Sequence, residues 1–193
     1  MVVEGLVTTT NADGTINVSP MGPLTSPQFD FLTLRPFEGS QTLANLRRDR
    51  SCVFHVTDDV LLLTRAMLNV PMRPDLRRAE VIDGWVLADT CRWFELKAES
   101  ISGESPRLTI ETTIEHVGIG RPFFGWNRAK HAVLEAAVLA SRVHLLDGPT
   151  MLADFEPLRV IVEKTGNDDE REAFALLKQH VESAPAANTQ AES

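Results

Sequence analysis

Apolar and polar positions alternate in short runs over the first two thirds of the chain, and a helical spacing takes over in the last third. Val2 to Thr10 and Ile16 to Val18 are rich in β-branched residues, which suit a pleated, half-buried surface. Asn11-Ala12-Asp13-Gly14 between them carries the chemistry of a hairpin turn. The second strand runs into Ser19-Pro20-Met21-Gly22-Pro23. Pro20 has no N–H to donate, so the strand is expected to stop there and leave its backbone groups free for something other than a neighbouring strand.

Further along, Leu24–Gln28 reads as a loop and Phe29–Pro36 as a strand. That strand has Leu32 and Leu34 on one face, with Phe31, Thr33 and Arg35 on the other. Ser40 is placed to cap a short helix over Gln41–Arg48. Ser51–Val56 is a strand, and Thr57-Asp58-Asp59 caps a second helix over Val60–Leu68. Asn69–Glu80, with Pro71 and Pro74, reads as a surface loop. Alternation returns in Trp85–Ala88, Trp93–Glu99 and Leu108–Val117. The pattern gives roughly six or seven strands, mostly antiparallel by loop length, and predicts a small closed or partly open barrel.

Gly118–Gly125 is a Gly/Pro/Phe-rich joint, after which the pattern changes. Asn127–Leu146 reads as a helix apolar almost all round, a face buried on most sides or used between subunits. Two more helices are predicted, from Pro157 to Lys164 and from Asp168 to Val181, the last capped by Asn167. The expected division is a barrel over 1–120, a helical subdomain over 121–183 and a disordered tail over 184–193.

Composition narrows the function classes. The 193 residues carry a formal net charge of -8, which argues against nucleic acid or an anionic membrane as the main partner. Cys52 and Cys91 sit in apolar runs and read as buried thiols, since two cysteines make no disulfide framework. Glu4 and Gly5 interrupt any signal-peptide pattern, and no apolar run approaches the ~20 residues of a membrane helix. The expected compartment is the cytoplasm.

Candidate chemistry concentrates where Arg35 leads into Ser40-Gln41-Thr42. A helix start offers unpaired N–H groups and a positive dipole end, Gly39 lets a ligand approach the backbone, and Arg35 adds a cation. Together they suit one phosphate, although an N-cap and a surface arginine alone explain the same residues. Nucleophilic catalysis finds no support: Gly-x-Ser-x-Gly is absent and the five histidines are scattered. Cys-x-x-Cys and His-Glu-x-x-His are absent too, as are the Walker and Rossmann glycine patterns. Trp126, Asn127, Arg128, Lys130 and His131 crowd the start of the apolar helix without an assignable role.

The runs VEGLVTTTNADGTINVSPMGP, LRPFEGSQTLANL, VFHVTDDV, FFGWNRAKHAVLEAAVLASRVHLL and RVIVEKTG resemble a family of uncharacterised FMN-binding split-barrel proteins, related to the flavin reductases. The likeness extends to about Val181 and implies a mainly β protein with α: a six-stranded antiparallel split β-barrel followed by a C-terminal helical subdomain. It also implies a homodimer binding FMN. By position, Ser19, Pro20, Met21 and Gly22 would lie along the isoalloxazine, and Arg35, Ser40, Gln41 and Thr42 would hold the phosphate with Asn45 nearby. His55, Val56 and Thr57 match a flavin-lining segment more loosely. Split barrels of this kind lack a separate Rossmann domain, so NAD(P)H or another electron donor remains compatible with the chain.

Overall fold

A computed structural model of the chain describes residues 1–144 and 148–184. Among them a six-stranded sheet runs in the order β2-β1-β4-β7-β8-β3. Its members are β1 (Gly5–Thr10), β2 (Ile16–Met21), β3 (Leu32–Leu34), β4 (Ser51–Val56), β7 (Arg92–Ser102) and β8 (Thr109–Ile119). Every pairing in it is antiparallel.

The expected turn forms at Asn11–Gly14. Gly14 takes φ 84, and its N–H donates to the Asn11 carbonyl at 2.9 Å. Proline does not stop β2 where the sequence suggested. The strand passes through Pro20, opposite Leu6, and ends at Met21. Pro20 is tolerated because β2 is an edge strand, paired on one side only.

The sheet closes through the residues that follow. Leu24 bridges Val2 on one side and Thr33 of β3 on the other. Leu24 and Thr33 exchange N–H···O bonds of 3.0 Å in both directions. The Thr25 N–H donates to the Met1 carbonyl at 2.9 Å, and the terminal ammonium of Met1 donates to the Thr25 carbonyl at 3.0 Å. The chain after β2 therefore joins the two ends of the sheet, while among the described residues no strand pairs with the outer edge of Ile16–Met21.

Residues Val7, Met21, Leu32, Leu34, Phe54, Phe94, Leu96 and Ile110 fill the barrel interior, and Leu43 and Leu46 of α1 (Gln41–Asp49) pack against them. Ser40 caps α1 by accepting from the Leu43 N–H at 3.3 Å. Phe29–Phe31 do not join β3. Phe29 takes φ 61 in a turn whose N–H reaches the Ser26 carbonyl at 3.1 Å.

The stretch read as a surface loop over Asn69–Glu80 contains a strand. Here β5 (Leu76–Arg78) pairs with β6 (Trp85–Leu87) as a two-stranded sheet. Its alternation is hidden because Arg77 and Arg78 lie over the Trp93 and Trp85 rings at 4.0 and 4.2 Å, so the arginines do the packing. Val86 packs with Val53 and Trp93 in a second small cluster.

Compact units divide the chain discontinuously. One comprises Met1–Asp58 and Met72–Phe123, the other Asp59–Pro71 and Phe124–Ser193. The second unit contains α2 (Val60–Met67), α3 (Arg128–Ala140), α4 (Gly148–Thr165) and α5 (Asp168–Ser183). One apolar face of α3 is spent inside this unit: Ala129, Ala132, Val133, Ala136, Ala137 and Ala140 are buried, on a helix packed with α4, α5 and α2, while Leu134, Val138 and Leu139 are half-buried. It ends at Ala140, earlier than expected, and Leu145 and Leu146 lie outside the described residues. The start of α4, Gly148, precedes the expected Pro157 by about two and a half turns. Met151, Phe155 and Val162 hold a helical spacing on its buried face, and exposed Pro157 is carried by the packing on either side. Asn167 caps α5 in a capping box with Glu170, whose carboxylate also takes the Lys130 ammonium at 2.8 Å. Of the expected tail, 185–193 lie outside the described residues. Cys52 and Cys91 are free and buried, and burial pushes the Cys52 thiol up to about 12.

Glu95 on β7 is fully buried. Its carboxylate accepts from the backbone N–H groups of Glu80, Val81 and Ile82 at 2.8, 2.7 and 3.1 Å, and from the Trp93 indole at 3.3 Å. Burial raises its pKa, but those donors outweigh it and the net shift is downward. Glu95→Ala should therefore cost roughly 1–3 kcal/mol of unfolding free energy in urea titrations by leaving buried N–H groups unpaired. Since the folded value is depressed, this stabilisation is present above the unfolded carboxylate range and lost as pH falls through the folded one. An unchanged urea midpoint in Glu95→Ala at neutral pH would remove Glu95 as the pin of this loop.

Candidate functional site

The start of α1 keeps the features that singled it out. Ser40 is spent on the Leu43 N–H, and the Ala44 N–H bonds to the Ser40 carbonyl at 3.1 Å. Among the described residues no acceptor faces the N–H groups of Gln41 and Thr42, which an α-helix cannot satisfy internally. The first turn of α1 carries no acidic residue, unlike that of α5. Gly39 precedes it at φ 79, a conformation that favours glycine. Arg35 follows β3 and is exposed, and its carbonyl takes a bond from Arg107 at 3.4 Å. Arg107 lies 3.9 Å above the Phe37 ring, bracing the segment that leads to Ser40.

Thr42 and Asn45 face the other way. Thr42 is 2% exposed and Asn45 1%. Asn45 Nδ2 donates to Thr9 Oγ1 at 2.9 Å and to Asn11 Oδ1 at 2.8 Å, while its Oδ1 accepts from Gln41 Nε2 at 2.9 Å. Thr42 Oγ1 accepts from Asn17 Nδ2 at 3.1 Å. These two side chains fasten α1 to the β1–β2 hairpin, whereas Arg35, Ser40 and Gln41 remain accessible.

The second half of the site is β2. Ser19 and Pro20 are half-buried on its open edge, and Met21 turns into the core. The missing side chain of Gly22 is used internally, since a Cβ there would meet Val2 Cγ1 at 2.9 Å and the Glu4 carboxylate at 3.0 Å. Asn17, two residues before Ser19 and on the same strand face, joins this edge to α1.

His55 is placed elsewhere. It shares the β4 face of Val53, opposite to Phe54 and the barrel interior. Its Nδ1 meets the Leu6 carbonyl at 3.2 Å and its Nε2 accepts from the Leu87 N–H at 3.1 Å, so both ring nitrogens serve the backbone. Val56 packs on the core cluster and Thr57 is half-buried beyond it.

In the helical unit, Trp126, Asn127, Arg128 and His131 line a groove of about 300 Å³ with Ala132, Glu135, Leu158 and Ile161. Trp126 and His131 meet edge to face at 5.2 Å, and Asn127 caps α3 through the Lys130 N–H. Among the described residues no cluster of His, Cys, Asp and Glu is fit to hold a metal ion, and no helix is long and apolar enough to cross a membrane.

The barrel thus carries an anion-ready helix start, an exposed arginine five residues before its cap, and, among the described residues, a strand edge without a partner strand. Comparison with known proteins places this barrel among relatives. A family profile described as the N-terminal domain of DUF447, a protein of unknown function, matches residues 3–121, and a second DUF447 profile matches residues 127–179. The chain belongs to the DUF447 family. No curated protein matches it. Its fold is similar to that of an FMN-bound DUF447 protein from Methanosarcina mazei, with a TM-score of 0.78 at 22% identity, covering 93% of this chain and 94% of that one. A 2-nitrobenzoate 2-nitroreductase from Pseudomonas fluorescens gives a TM-score of 0.52 at 17% identity over 60% of this chain and 64% of its own. The flavin reductase of styrene monooxygenase from Pseudomonas putida S12 gives 0.50 at 13% identity over 61% and 79%. The DUF447 chain therefore has the split-barrel fold of the flavin reductases.

Asn17, Thr9 and Arg107 were missed in the sequence. A period of two from Ser19 and Met21 would have put Asn17 on their face, but only the fold brings Thr42 to it. Burial first, with Arg77 adding to it, pulls the His55 imidazole down to about 3 against the usual 6.5, and the Leu6 carbonyl opposes the shift. The contribution of His55 to stability is then complete above 6.5 and is lost as pH falls towards about 3, because only the unfolded chain takes up that proton. His55→Gln should flatten the stability-against-pH profile by about 1.4 kcal/mol per pH unit in that window, read by urea unfolding. An equal slope in both proteins would mean that His55 is already protonated in the fold.

Proposed function

We propose that this DUF447 protein binds FMN and works as a flavin-dependent oxidoreductase of the flavin-reductase kind, as a homodimer that accepts electrons from NAD(P)H or another donor. The observation carrying the reading is the α1 start. It has two N–H groups without an acceptor among the described residues, no acid in its first turn, and Arg35 nearby in sequence, just after β3. It is tied by one hydrogen bond to a β2 whose outer edge is open. A phosphate at one end and a flat ring with a polar edge at the other fit that pair.

The N–H groups of Gln41 and Thr42, with Arg35, Ser40 and the exposed part of Gln41, would hold the phosphate. Backbone groups of Ser19, Pro20, Met21 and Gly22 would face the ring. Thr42 and Asn45 would act from below, keeping the helix start in place. The segment His55–Thr57 would contribute backbone, since the imidazole is committed to Leu6 and Leu87. Bound FMN would supply the hydride and electron transfer, and the protein its orientation and surroundings. The side chains gathered here are amides, hydroxyls and one arginine, none of which exchanges protons near neutral pH. That same fact supports a second reading, a flavin carrier without turnover.

Purified protein should be yellow or should quench the fluorescence of added FMN; a colourless protein that does not quench it would sink the reading. Arg35→Ala, at an exposed position, should weaken FMN about tenfold, with the loss shrinking at high salt. Oxidation of NADH or NADPH by the loaded protein with varied acceptors supports the oxidoreductase, whereas tight FMN without any turnover supports the carrier.

A further inference from the structure

We infer that Asn17 is a positioning residue that sets the span between the Ser19–Gly22 edge and the α1 start, so that the ring and phosphate of one ligand can engage together. The inference rests on the flavin reading above. It starts from a polar cluster in a place where apolar packing would be simpler. Thr9, Thr42 and Asn45 are all at most 4% exposed. Asn17 stands directly opposite Thr9 in the β1–β2 register. Its amide is divided between two elements: Nδ2 donates to Thr9 Oγ1 at 3.1 Å and to Thr42 Oγ1 at 3.1 Å. One turn along α1, Asn45 repeats the device, donating to the same Thr9 Oγ1 at 2.9 Å and to Asn11 Oδ1 at 2.8 Å.

The two amides do different work. Asn45 bonds to β1 and to the turn, and so fixes the body of α1 on the hairpin. Asn17 is the member of the cluster that lies on β2 itself, and it grips the second residue of the helix. Its strand continues within two residues into Ser19, and its helical partner carries one of the two unaccepted N–H groups. A hydrogen-bonded amide fixes direction as well as distance, which apolar contact would not. A ligand anchored at both ends gains affinity only when its two sites sit at the right separation, because the second contact is then made within an already formed complex.

Riboflavin, which has the ring without the phosphate, separates this role from a merely structural one. FMN and riboflavin affinities would be measured by fluorescence quenching for the unaltered chain, Asn17→Ala and Asn17→Asp, with a thermal melt of each. The unaltered chain should prefer FMN. Asn17→Ala should weaken FMN about tenfold and riboflavin less than twofold, so that the preference collapses. Asn17→Asp, equal in size but without the amide donor, should lose at least as much FMN affinity, and decides the matter if the alanine variant does not fold. Equal losses for both ligands, or an unchanged preference in Asn17→Asp, would overturn the inference while leaving FMN binding intact. If the unaltered chain binds neither ligand, the flavin reading itself fails and this role falls with it.

Discussion

The barrel depends on the few residues after β2 that bond to both ends of one sheet. Leu24 faces Val2 on one side and Thr33 on the other, and Met1 and Thr25 close the corner with reciprocal bonds. Without them β2 and β3 would be two open edges of a six-stranded sheet. With them the interior from Val7 to Ile110 is enclosed, and among the described residues Ile16–Met21 of this sheet pairs on one side alone. The closure is partial because β3 has three residues and β2 has six. A strand that short covers the tail of its neighbour and leaves the rest uncovered. The candidate site lies at this gap.

The gap is fitted with polar groups of two kinds. Those facing inward bond to one another: Asn17 and Asn45 both donate to Thr9, and Asn17 also to Thr42, between the hairpin and α1. Among the described residues those facing outward have no partner, namely the N–H groups of Gln41 and Thr42 and the outer edge of β2. Buried polar groups are costly unless paired, so the inward set acts as a fixed support. The outward set is what a ligand can use. The same division explains His55, which titrates well below its usual range while serving the backbone of β1 and β6.

Much of this was legible in the residues. The Asn-Ala-Asp-Gly turn, the Ser40 and Asn167 caps and the alternation of Leu32 and Leu34 are local signals, and each is set by chemistry within a few residues. The runs shared with the flavin-binding split-barrel family carried the fold as well. Less legible were β5, whose arginines pack on tryptophans from other strands, and the first half of α4, whose packing outweighs Pro157. The stop expected at Pro20 assumed a strand with neighbours on both sides.

The sequence by itself determined most of the elements and the helix start at Ser40, because caps, turns and periodicity act over short separations along the chain. Only the tertiary structure decided what lies opposite what. It set β2 at the edge, brought Asn17 within 3.1 Å of Thr42 from 25 residues away, and turned Thr42 and Asn45 inward as supports. It also faced His55 away from the interior and spent the alanine-rich face of α3 within its own helical unit. Hydrogen bonds and burial between distant segments follow from sheet order and closure, and no local pattern in the chain encodes them.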